Sequence, residues 1–164
     1  KAYSYKTKYH TSNSKVEISD EDYNEGIIEI NKANKFLNRS GISKYMNLLA
    51  RNWSQVKYSQ QIFAIGSIVQ PGEKDNRGFI NKSKLDIVSG GTGYAVMMGI
   101  VNKKVIFVFD QTRDKWFRWS YVFSSFMPTD IPNISVENFA GIGTREIKEN
   151  GINAIKSVYE LSFV

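Results

Sequence analysis

Two uninterrupted apolar runs constrain this 164-residue chain most: Ile62-Phe63-Ala64-Ile65-Gly66 and Val105-Ile106-Phe107-Val108-Phe109-Asp110. A strand with one face in water alternates polar and apolar residues, whereas a strand covered on both faces does not. The first run therefore predicts a buried parallel strand ending in glycine, and the second another strand of the same sheet. Strands that run parallel need a crossover, usually helical. The apolar segment Tyr94 to Val101 lies between the two and predicts that helix.

The flanking sequence supplies further elements. Ser19 followed by Asp22 resembles a capping box, and Asp20, Glu21 and Asp22 suit the positive end of a helix. Tyr23, Ile27, Ile30, Ala33 and Leu37 recur at helical spacing, predicting a helix over 20–38 with Gly41 as its C-terminal cap. A second helix is predicted over 43–58, with the stripe Ile42, Met46, Leu49, Trp53 and Val56. The segment 70–84, with Pro71, Gly72 and Gly78, is a long polar excursion of the kind that serves as a lid. Phe117, Trp119, Tyr121 and Phe123 alternate with period two and predict an antiparallel hairpin over 116–126. Pro128 and Pro132 mark a loop, Asn138 to Gly143 a further strand, and Glu146 to Leu161 a closing helix. Residues 1–18 read as loop or edge strand. The fold class is α/β: one domain over 1–164, a Rossmann-like, mostly parallel sheet flanked by helices, with an appended antiparallel β-hairpin.

Composition narrows the chemistry. Apolar residues make up 41% and charged residues 23%, which argues against disorder. No cysteine is present, so thiolate catalysis, disulfides and Cys-based metal sites are excluded. The single histidine, His10, has no second histidine to form a metal site or triad with, and no cofactor is implied. No apolar run approaches the roughly 18 residues of a membrane span, and Lys1-Ala2-Tyr3-Ser4-Tyr5 has no apolar core of a signal peptide. A cytoplasmic protein is expected. The net charge of +6 suits a phosphorylated small molecule and also admits nucleic acid.

The site candidates begin with Ser89-Gly90-Gly91-Thr92-Gly93, which opens the predicted Tyr94 helix. Glycines let the backbone turn tightly and approach an anion, and the first free N–H groups of a helix bind phosphate. Thr92 is expected to add a hydroxyl, and Tyr94 or a hairpin aromatic a ring for base stacking. Phe139-Ala140-Gly141-Ile142-Gly143-Thr144-Arg145-Glu146 repeats the plan of strand, glycine turn and helix. In it Thr144 is a cap candidate and Arg145 a phosphate ligand. On the second helix Arg51, Asn52 and Gln55 fall on one arc away from Trp53, forming either a solvated face or a set of ligand contacts. Ligands of open α/β sheets collect at the carboxyl ends of the strands, and Gly66, Gly90 and Gly143 are all expected along that edge.

Ala50-Arg51-Asn52-Trp53-Ser54-Gln55-Val56, Ile62 to Gly66 and Gly90-Gly91-Thr92-Gly93-Tyr94-Ala95-Val96 together resemble the SLOG superfamily, over about residues 45–160. That superfamily includes the DprA-like and LOG-like Rossmann proteins and phage-encoded members. Phe139 to Glu146 is similar to an AGIGSRET segment that opens the fold in many of them. Here it comes last, which implies a circularly permuted order. LOG-type phosphoribohydrolases carry GGxGTxxE with a catalytic glutamate, and the matching positions here are Tyr94 and Met97. A methionine neither accepts nor donates a proton, so that chemistry does not carry over. A glycine-rich SGGAxGAD segment has no match. In a permuted member it belongs just upstream of Lys1, so the chain is either shortened there or has lost part of the pocket.

The resemblance implies binding of a nucleotide-derived small molecule, such as an ADP-ribose derivative or cyclic nucleotide, that is sensed or sequestered. It also implies a homo-oligomer. Two other readings stand beside it. One is a hydrolase of N-glycosidic or phosphoester bonds, with Glu146 as general base in preference to Asp110 and Asp86. The other is single-stranded nucleic-acid binding through the hairpin aromatics with Lys115 and Arg118.

Overall fold

The computed structural model describes Ala2–Ser4 and residues 15–163. His10 and most of the segment read as loop or edge strand lie outside the described residues. Within them, β1 (Ala2–Ser4) pairs in parallel with β2 (Lys15–Glu17).

The chain then builds α1 (Asp20–Leu37), a 3-10 turn (Ile42–Tyr45) and α2 (Met46–Lys57). Ser19 caps α1 by accepting from the Asp22 N–H at 3.0 Å. The end of α1 differs from expectation. Asn38, not Gly41, takes the left-handed conformation at φ 51° and closes the helix by donating to the Asn34 carbonyl. An Asn side chain tolerates that conformation. Gly41, at φ 74°, instead starts the 3-10 turn.

The main sheet contains β3 (Gln61–Gly66), β6 (Val105–Asp110), β7 (Lys115–Ser120), β8 (Ser125–Thr129) and β9 (Phe139–Gly143) in the order β8-β7-β6-β3-β9. β3 runs parallel to both β6 and β9, while β7 and β8 are antiparallel additions. The fold is α/β with a mostly parallel sheet and an appended hairpin, as the two apolar runs predict. Two short strands, β4 (Ile68–Val69) and β5 (Ile87–Val88), form a separate antiparallel pair. The glycine turn that precedes α3 (Thr92–Val101) therefore leaves this small pair rather than the main sheet.

Alternation along the central strands decides which helix covers which face. Ile62, Ala64, Ile106 and Val108 pack against buried residues of α1, α2 and α3. Phe63, Ile65, Phe107 and Phe109 face the other way, with Ala154 and Val158 of α4 (Glu149–Phe163). Two-sided burial is why neither run alternates in sequence.

The hairpin runs further than expected, over Lys115–Thr129, with Pro128 inside β8 opposite Phe117 rather than in a loop, but its first strand stops before Tyr121. Trp116 and Trp119 are buried on opposite faces, and the turn falls at residues 121–124. Tyr121 and Phe123 thus belong to the turn, where Ser124 adopts φ 49°. Tyr121 donates to the Lys104 carbonyl at 2.6 Å, and burial pushes its pKa from 10.0 up to about 12. A raised tyrosine pKa means that folding favours the protonated phenol. That stability is complete below the ordinary value and is lost as pH rises through about 12. Urea titrations between pH 9 and 12 are expected to show stability falling with pH, with a shallower fall in Tyr121→Phe.

Candidate functional site

The register Gly66↔Asp110 and Ile65↔Gly143 brings the carboxyl ends of three parallel strands level. Beside them opens a cleft of about 710 Å³. Its walls come from the end of α1, one face of α2, the 70–84 excursion, the start of α3 and the turn after β9. Arg51, Asn52, Gln55, Ser89, Gly90, Gly91, Thr92, Tyr94, Gly143, Thr144 and Arg145 all line it.

Gly66 and Gly93 lie behind the wall and serve packing. A methyl group on Gly66 would sit 2.8 Å from Val88 Cγ1. One on Gly93 would sit 2.0 Å from the Val88 carbonyl oxygen. These glycines let β3, β5 and α3 approach one another, which holds the turn in place without exposing them.

The turn itself leaves backbone donors open to the cleft. Gly90 takes φ 66°, and Gly91 is the first, exposed residue of the helix start, with nothing within 4 Å of where a Cβ would be. The Gly93 N–H donates to the Gly90 carbonyl at 3.2 Å, and that of Tyr94 to Gly91 at 3.1 Å. Among the described residues nothing accepts from the N–H groups of Gly90, Gly91 or Thr92. Free donors at the positive end of a helix favour a negative ligand.

The carbonyls of the same turn are claimed from behind. Arg39 donates from Nη2 to Val88 O and from Nη1 to Gly90 O, each at 2.7 Å. Its guanidinium also lies 5.2 Å from the centre of the Tyr94 ring. Burial lowers the Arg39 pKa from its ordinary value, yet a guanidinium stays charged. Tyr94 is buried, its hydroxyl donates to Asn34 Oδ1 at 3.2 Å, and burial raises its pKa. The ring that was expected to stack on a base is thus occupied by Arg39. Phe79 and Tyr45 present exposed aromatic rings on the cleft wall.

Two other expected roles change. The Thr92 hydroxyl donates to the Gly143 carbonyl at 3.3 Å, tying the start of α3 to the end of β9, so it is not free to donate to a phosphate. Thr144 does not cap α4, which begins at Glu149 rather than Glu146. Its Oγ1 accepts from the Glu146 N–H at 3.2 Å, while the Lys148 N–H donates to Gln111 Oε1 at 2.6 Å. These side-chain bonds hold 144–148 as a turn and delay the helix. Arg145 is exposed on that turn. Among the described residues no carboxylate lies within ion-pair distance of Arg51, Lys82 or Arg145.

The 70–84 excursion is a folded hairpin. Lys74 and Ile80 form a β-bridge, and Asp75 Oδ1 accepts from the N–H groups of Arg77 and Phe79 at 2.9 Å each. Gly78 turns the tip at φ 85°. At its base the buried Asn81 donates to Val69 O and Leu85 O and accepts from Ser83 N–H, at 2.8–2.9 Å. The tip therefore presents Asn76 and Arg77 from a fixed frame. Both reach Glu146 across the cleft: Asn76 Nδ2 donates to Oε2 at 3.1 Å, and Arg77 Nε lies 3.8 Å from Oε1.

The remaining carboxylates serve structure. Asp110 is fully buried and is bonded by Arg113 and by the N–H groups of Ile68, Thr112 and Arg113. Asp86 accepts from Phe126 N–H at 3.4 Å. Met97 is 1% exposed and packs in the core. Of the hairpin aromatics, Trp116 and Trp119 are core residues, leaving Phe123 well exposed at the tip. No cluster of three metal-ligating side chains occurs among the described residues, and no helix there is long and apolar enough to cross a membrane. Comparison with family models, curated proteins and solved structures found no match to this chain.

Proposed function

We propose that this chain binds a phosphorylated, nucleotide-derived small molecule in the cleft, and that it holds the molecule without cleaving it. One observation carries the reading: among the described residues, three N–H groups at the start of α3 have no acceptor and share a cleft with Arg51, Lys82 and Arg145, none of them paired with a carboxylate there. Backbone donors and fixed cations are complementary to phosphate, and a guanidinium can grip it at two points. The volume of about 710 Å³ falls in the range of sites for nucleotide-sized ligands. Phe79 and Tyr45 offer faces for a base, and Asn52 and Gln55 offer amides for sugar or base edges.

The resemblance of the Arg51, Gly66, Gly90–Gly93 and Phe139–Glu146 segments to SLOG proteins supports the same ligand class, an ADP-ribose derivative or cyclic nucleotide sensed or sequestered. Storage rather than hydrolysis is favoured because Met97 is buried and Asp110 is saturated with donors.

A thermal-shift screen of the chain against nucleotides, NAD, ADP-ribose and cyclic ADP-ribose isomers tests this. A ligand at one hundred times its dissociation constant is expected to add about 2.7 kcal/mol of stability. The proposal fails if no phosphorylated compound shifts the transition. Turnover of a bound compound that Glu146→Gln abolishes would replace storage by hydrolysis.

A further inference from the structure

We infer that Glu146 is a built-in competitor of the ligand's phosphate, holding Arg77 until an anion takes its place; this rests on the anion site proposed above. Arg77 sits where it can serve either partner. Its Nη2 would lie 3.3 Å from a Cβ on Gly90, so the guanidinium hangs over the turn that carries the free N–H groups. Its Nε is 3.8 Å from Glu146 Oε1. A phosphate seated on the Gly90, Gly91 and Thr92 N–H groups would meet the same guanidinium.

The carboxylate side of the contact is fixed as firmly as the cation side. Glu146 belongs to the turn that Thr144 Oγ1 and Gln111 hold, since Gln111 Nε2 donates to the Glu146 carbonyl at 3.2 Å. Asn76 supplies a second, neutral donor to the carboxylate at 3.1 Å. The two tips thus meet across the cleft through one ion pair and one hydrogen bond.

Magnitude decides what such a contact can do. Both partners are more than half exposed or close to it, at 50% and 58%. Exposed ion pairs contribute little in water, so the contact yields to a phosphate that gains backbone donors as well as the guanidinium. A neutral nucleoside offers no charge to displace the carboxylate and leaves the tips joined. Glu146 would therefore sharpen the preference for anionic over neutral ligands and report occupancy by the separation of the two tips.

Titration calorimetry with inorganic pyrophosphate on four proteins tests the inference: the unaltered chain, Glu146→Gln, Arg77→Ala and the double variant. Glu146→Gln is expected to tighten binding by about twofold to fivefold. Arg77→Ala is expected to weaken it by about tenfold. In the double variant the gain from removing Glu146 should vanish, because no guanidinium remains to be released. Unchanged or weaker binding by Glu146→Gln, beside normal binding by the unaltered chain, overturns the inference alone. An equal gain with and without Arg77 overturns it too, since Glu146 would then act by simple repulsion. If none of the four binds pyrophosphate, the anion site itself is refuted.

Discussion

Gly93→Ala is expected to destabilise the protein by about 3 kcal/mol, a large part of the 5–15 kcal/mol that holds a domain of this size together. The added methyl would lie 2.0 Å from the Val88 carbonyl oxygen and 3.0 Å from both the Val88 carbonyl carbon and Arg39 Nη2. Two of these are main-chain atoms at the end of β5 and cannot rotate away. Relief requires α3 to shift from β5, which also disturbs Arg39 and the glycine turn. Gly91→Ala is the matched control, because its site is open and its φ of −63° suits any residue. That variant should stay within about 0.5 kcal/mol of the parent. Urea unfolding of the pair checks both values, and equal stabilities would refute the packing role assigned to Gly93.

Arg39→Ala is the second large effect. One guanidinium bonds the Val88 and Gly90 carbonyls at 2.7 Å each and covers the Tyr94 ring at 5.2 Å. Hydrogen bonds to a charged group contribute about 1.5–3 kcal/mol, and truncation takes that donor from the Val88 carbonyl and leaves the Gly90 carbonyl with the Gly93 N–H alone. A loss of about 2–4 kcal/mol follows. The turn would then lose the strut that holds its carbonyls, so under the proposed function affinity for a phosphorylated ligand should fall by more than about tenfold. Arg39→Lys keeps the charge but not the fork that spans two carbonyls, and should recover only part of the loss. Denaturation of both variants, with ligand titration at a temperature where each is folded, separates stability from binding. Full affinity in Arg39→Ala would show that the turn holds its shape unaided.

These two residues also show what was legible in the sequence. β3 and β6 were readable because burial on both faces leaves an unbroken apolar run. Arg51, Asn52 and Gln55 were readable because helical geometry alone puts them on one arc, whatever the helix packs against. Arg39 was not, since its partners are main-chain carbonyls some fifty positions away and a carbonyl leaves no mark on residue identity. Arg77 was hidden in the same manner within a polar excursion whose order comes from Asp75 and Asn81 bonding main-chain groups. The start of α4 is not legible because Thr144 stands two residues before Glu146, a pattern that serves a cap and a simple turn equally well. Tyr94 reads as a free ring because nothing local reveals the arginine that covers it.

The strand order has a consequence for how the molecule comes together. β3 pairs with β6 after one helical crossover, and β6, β7 and β8 follow as local hairpins. β9 must return past all of them to lie beside β3, joining Gln61 to Phe139. Closing so long a loop carries the largest entropy cost of any pairing in the sheet, and such distant contacts form slowly. The segment Gly143 to Arg145 rides on that strand. A folding chain is therefore expected to complete the rest of the sheet first and to finish the cleft only when β9 docks. A ligand gripped from both sides would act as a clasp on this last step, protecting the β9 amides from hydrogen exchange more than those of β6.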